Sequence, residues 1–105
     1  MKPIQFIDSA LDDLREFPED ARREAGYQLG KVQDGMDPSD WKPMKSVGDG
    51  VKEIRIRDEA GAYSVIYLAK LADATYVLHC FQKKTEKTSQ KDIELARRRF
   101  KELTR

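Results

Sequence analysis

The sequence predicts an α+β fold: a small antiparallel-rich sheet with an N-terminal helical hairpin on one face and a C-terminal helix. Three observations carry this expectation. Apolar residues recur at helical spacing from Leu11 to Met36, strand-length stretches parted by turn-forming residues run from Val51 to Gln82, and helical spacing returns from Ile93 to Leu103.

The elements follow in order. Ile4 to Ile7, IQFI, reads as a brief strand that gives way at Asp8 and Ser9, both good N-cap residues, to a short helix with Leu11, Leu14 and Phe17 on one face. Pro18 ends that helix and suits the first turn of the next, where Glu19 and Asp20 complement the positive end of the dipole. Ala21, Ala25, Leu29, Val32 and Met36 then mark one apolar stripe, Gly35 a stop, and Gly26 and Gly30 a place for close packing on a neighbour. Met36 to Gly50 is loop by its prolines, glycines and short polar residues, with a short strand over Met44 to Val47 and Trp41 plugging one end of the core.

Val51 to Asp58, VKEIRIRD, alternates: Ile54 and Ile56 point one way, Glu53, Arg55 and Arg57 the other, away from the helices. After a turn over Glu59 to Gly61, Tyr63 to Lys70 is apolar on both sides and reads as a central strand. Thr75 to Gln82 is the last strand of an antiparallel meander whose helices stack on one face. Ser89 and Asp92 resemble a capping box, and Ile93, Ala96, Phe100 and Leu103 carry the final helix, with Arg97, Arg98 and Arg99 mostly off its stripe.

At 105 residues the chain is expected to form one domain, residues 1–105. A charged fraction of 37% describes a heavily ionised surface, and no apolar run approaches the ~20 residues of a membrane span, so a cytoplasmic protein without membrane contact is expected. The single Cys80 has no partner for a disulfide or zinc site and reads as a small buried hydrophobe. Residues 1–50 hold seven Lys and Arg against eleven Asp and Glu, and residues 51–105 thirteen against eight, so positive surface belongs to the second half. That split suits either an anionic ligand or a solvated basic face.

No Gly-rich phosphate loop, nucleophile elbow or sequence-evident carboxylate pair is present, and a conventional hydrolase triad has only one histidine to draw on. What remains is basic: Arg55 and Arg57 on one strand, and Lys83, Lys84 and Lys87 in the turn after the last. Guanidinium and ammonium groups gathered on one surface suit a polyanion, nucleic acid foremost, or form a solvated rim. His79 is either a base facing a cleft or a packed, hydrogen-bonded residue, and Tyr63, Tyr67 and Tyr76 read as core.

The run HCFQKKTEKTSQKDIELARRRF resembles the C-terminal segment of phage-derived relatives of the RelE/HigB toxins, and VKEIRIRD followed by GAYSVIY resembles their strand pair. The resemblance covers nearly the whole chain. It implies a RelE-like fold and a cytoplasmic toxin of a type II toxin-antitoxin module that cuts messenger RNA on the ribosome until an antitoxin, commonly a helix-turn-helix DNA-binding protein, masks it. No metal or organic cofactor is implied. Carried onto this sequence, Arg55 and Arg57 hold phosphate and Lys83, Lys84 and Lys87 form the basic turn, with Arg57 and the three lysines as catalytic candidates. One lysine would exchange protons, helped by like-charged neighbours. Position 64, arginine by family habit on the RNA-facing side, is serine here, which implies weakened cleavage. A non-catalytic homologue that binds antitoxin or RNA, and a plain RNA-binding domain, are the other readings.

Overall fold

Apolar character on both sides of Tyr63 to Leu68 has a direct structural cause: the strand has neighbours along both edges and a hydrophobic core against each face. The computed structural model describes residues 1–105 as β1 (Ile4–Phe6), α1 (Ala10–Arg15), α2 (Glu19–Gln33), β2 (Trp41–Pro43), β3 (Val51–Asp58), β4 (Gly61–Leu68), β5 (Thr75–Lys83) and α3 (Gln90–Thr104). The sheet runs β1-β5-β4-β3-β2, antiparallel throughout except for β1, which lies parallel to β5 through Ile4↔Thr75 and Phe6↔Val77. The α+β expectation holds, with the meander β3-β4-β5 at its centre.

The helices do not share one face. Ile54, Ile56, Val65 and Tyr67 meet Leu14, Phe17, Ala25 and Leu29 of the α1/α2 side, where the Phe17 and Tyr63 rings lie 4.8 Å apart. Val51, Ile66, Leu68 and Leu78 meet Ala96 of α3, together with Met44 and Val47. A bulge makes this two-sided burial possible on β5: Tyr67 pairs with Val77 and Ile66 with His79, so Leu78 is the extra residue and turns to the α3 core while Val77 serves the other. Each fully buried aliphatic side chain contributes about 1.5–3 kcal/mol, so the sheet is held from both sides.

Local signals act as read at several points and fail at others. Ser89 caps α3, its hydroxyl oxygen accepting from the Asp92 amide at 3.2 Å, and Gly35 stops α2 with φ at +85°. Pro18 is the N-cap of α2 rather than its first residue. The short strand in the loop is Trp41–Pro43, not Met44 to Val47, because Met44 and Val47 are drawn into the α3 core. Trp41 does not plug the core: it lies half-buried on the edge strand, paired with Ile54, with the Lys52 ammonium 4.4 Å from its ring centroid. Met36 falls beyond α2 and is exposed, and nothing approaches the open space beside Gly26 and Gly30, so neither glycine serves close packing. Close approach occurs instead at Gly48, where the Phe100 ring occupies the space of an added Cβ.

Candidate nucleic-acid interface

The alternation of β3 sends Glu53, Arg55 and Arg57 to the α3 side of the sheet, and the register carries that row across: Arg57 lies beside Ala62 and Lys83, and Arg55 beside Ser64 and Phe81. α3 covers only the part of this face nearer Ile66 and Leu68. Beyond it, Arg55, Arg57, Lys83, Lys84 and Tyr63 line a cleft of about 310 Å³. Four of the five basic residues singled out in the sequence therefore meet in one place. Lys87 does not join them; it is exposed, and its carbonyl accepts from the Thr85 hydroxyl at 2.9 Å.

The four cations are in different states. Arg55 is engaged by Asp40, with Nη2 at 2.7 Å and Nε at 2.9 Å from Oδ1. The Arg57 and Lys84 side chains, both exposed, enter no ion pair and are free to meet an anion. Lys83 is held: its side chain is 7% exposed and its Nζ lies 3.9 Å from Oε1 of Glu53, itself fully buried. The charge set against Lys83 is thus a carboxylate. Lys42 approaches the same oxygen at 3.6 Å, and the Thr88 hydroxyl donates to Oε2 at 2.8 Å.

Ser64 does lie on the cleft side, yet it has no exposed surface and its hydroxyl has no partner. On the flanking strands Glu53 pairs with Ile66 and Lys83 with Ala62, to either side of Ser64, so the line joining them crosses β4 at Ser64. Position 64 is therefore covered rather than open to a ligand.

His79 takes the packed alternative. It is 5% exposed, stacks on Phe81 with centroids 4.6 Å apart, and its Nε2 meets Asp92 Oδ1 at 2.7 Å. Burial lowers its pKa below the usual value, opposed by Asp92. Burial likewise pushes the Cys80 thiol up to about 12, as suits a small hydrophobe. Tyr63 and Tyr67 are core, whereas Tyr76 is half-buried and donates its hydroxyl to Asp73. Arg99 departs from the off-stripe expectation: it is 7% exposed, donates to the Leu78 carbonyl at 2.8 Å and to Ser9 Oγ at 3.0 Å, and faces Asp8.

Sequence reasoning missed Glu53, Lys42 and Thr88 as parts of this region. A signal for Glu53 was present, since its alternation places it on the face of Arg55 and Arg57 beside the apolar Val51. Lys42 and Thr88 lie in segments with no period to read. No group of three or more His, Cys, Asp or Glu side chains is arranged to hold a metal ion, and no helix is long and apolar enough to cross a membrane.

Among curated proteins none matches the chain. The family model described as "Phage derived protein Gp49-like (DUF891)" matches residues 12–101, a span from within α1 to within α3 that includes the whole β3-β4-β5 meander, the basic turn and every residue of the cleft. With the fold and the cleft both inside the matched span, the chain belongs to the phage-derived Gp49-like family.

Proposed function

We propose that this protein is the toxin of a type II toxin-antitoxin module and acts as an endoribonuclease on messenger RNA in the ribosome. The observation that carries the reading is the meeting of Arg55 and Arg57 from β3 with Lys83 and Lys84 from the end of β5 in one cleft. RNA brings its own nucleophile. The 2′-oxygen attacks the adjacent phosphorus, loses its proton, and the 5′-oxygen of the next nucleotide leaves with a proton, so the protein's work is alignment and stabilisation of charge on phosphorus. Arg57 and Lys84, with no internal ion-pair partner, bind the phosphate oxygens; Arg55, steadied by Asp40, orients the strand; Lys83 adds fixed charge at the cleft floor. Lys87 contributes long-range attraction from the turn. The partner is a helix-turn-helix antitoxin that masks the cleft, and the setting is the cytoplasm.

A second reading, a non-catalytic homologue that binds antitoxin or RNA without cutting, is favoured by one observation: Ser64 is buried beneath the Lys83–Glu53 pair. Production of the chain in bacteria separates the two. Growth arrest with cleaved messages, relieved by the product of the adjacent gene, supports the nuclease. Absence of arrest and cleavage from both the native chain and its Ser64→Arg variant ends the nuclease reading, and copurification with a DNA-binding partner would then leave the non-catalytic one.

A further inference from the structure

We propose that Glu53 is a positioning residue that clamps both ends of the basic turn, and so sets how the cleft grips RNA; the second half of this statement rests on the polyanion reading above. The turn leaves the sheet at Lys83, carries Lys84 and Lys87, and reaches Thr88 just before the Ser89 cap of α3. Its two ends meet one carboxylate. Oε2 of Glu53 accepts from the Thr88 hydroxyl at 2.8 Å, while Oε1 faces Lys83 Nζ at 3.9 Å. Oε1 has no hydrogen bond of its own, only Lys83 and, at 3.6 Å, Lys42 as opposite charges.

An ionised carboxylate without exposed surface is an expensive way to fill space, since a well-packed apolar side chain of similar volume commonly stabilises as much or more. What an apolar residue cannot do is accept a hydrogen bond from one end of a turn while attracting a charge at the other. Glu53 precedes Arg55 on the same face of β3, so the strand that presents the arginines also fixes the turn that presents Lys84. The distance between the two halves of the cleft is thereby set by a rigid element rather than by a free loop. The Thr85 hydroxyl, donating to the Lys87 carbonyl, braces the turn internally but ties it to nothing else.

Charge and position make opposite predictions, which makes the clamp testable. Glu53→Gln removes a negative charge beside a cationic cleft, so electrostatics alone tightens RNA binding; a loosened turn weakens it. We expect Glu53→Gln to bind a ~12-nucleotide single-stranded RNA roughly fivefold to tenfold more weakly than the native chain. The backbone of Lys84 to Thr88 should become more mobile, read as lower NMR order parameters, while that of β4 and α2 stays rigid. Thr88→Val, which leaves the charge unchanged, should do the same, and Thr88→Ser should restore native behaviour; these two carry the test if Glu53 variants fail to fold. Unchanged order parameters across the turn overturn the clamp. Lower ones with equal or tighter RNA binding overturn its role in the grip. If the native chain neither binds nor cuts RNA, the toxin reading fails by itself and the order parameters still decide the clamp.

Discussion

Ser64 buries a hydroxyl that bonds to nothing, and burying such a group costs about 1–3 kcal/mol relative to a satisfied one. Ser64→Ala should therefore stabilise the protein by about 1 kcal/mol, read as a higher urea midpoint with an unchanged slope. His79 supplies a pH dependence with a definite sign. Its folded pKa lies below the unfolded value near 6.5, so between those two values the unfolded chain binds the extra proton. Its contribution to stability is complete above pH 6.5 and is lost as pH falls through the lowered folded pKa; urea melts across that window should show the decline, and His79→Gln should flatten it. The packed state of His79 was legible from its apolar strand, but its partner Asp92 was not, because only the path of the turn brings the two together. Arg99 was misjudged for a related reason. A long side chain off an apolar stripe can still run inward when a carbonyl such as that of Leu78 waits at the end of its reach.

At the scale of elements, the long ones were legible in place and extent, and of the short ones β1 and α1 were read as elements while β2 was not. α2, β3, β4 and α3 span enough residues for a period of 3.6 or 2 to show, and their predicted and observed positions agree to within a few residues. The three-residue β1 and β2 carry no period, so their place in the sheet, including the parallel pairing of β1, came only with the structure. The side taken by α3 was hidden too: a central strand apolar on both faces requires two covers, but an amphipathic stripe does not say which face it will meet. How α3 docks can be tested at Gly48, whose missing Cβ leaves room for the Phe100 ring. Gly48→Ala should shift that ring and destabilise by about 1–3 kcal/mol, while leaving far-ultraviolet helix content intact.

Across the whole molecule, a net charge of only +1 coexists with a strongly uneven distribution, and the cleft belongs entirely to the basic half. The cationic residues of the cleft were legible because strand alternation and a lysine-rich turn display their charges openly; that Glu53 and Ser64 are wholly buried was not, because no count of charges reveals burial. Single-stranded RNA should release about 0.7 counterion for each phosphate neutralised. Arg57→Ala and Lys84→Ala should each lower the slope of log affinity against log salt by about that amount, measured by fluorescence titration over a range of salt concentrations, whereas Arg55→Ala should lower it less because Asp40 already holds that guanidinium. The tie between Arg99 and Ser9 spans 90 residues of chain, and β1 must wait for Thr75 to Val77 before it has a partner. Contacts of such separation close late in folding. A chain that emerges from its N-terminal end holds Arg55 and Arg57 well before Lys83 and Lys84 exist to face them, so the cleft is among the last features of the molecule to be completed, and a growing chain carries only half of its cationic surface.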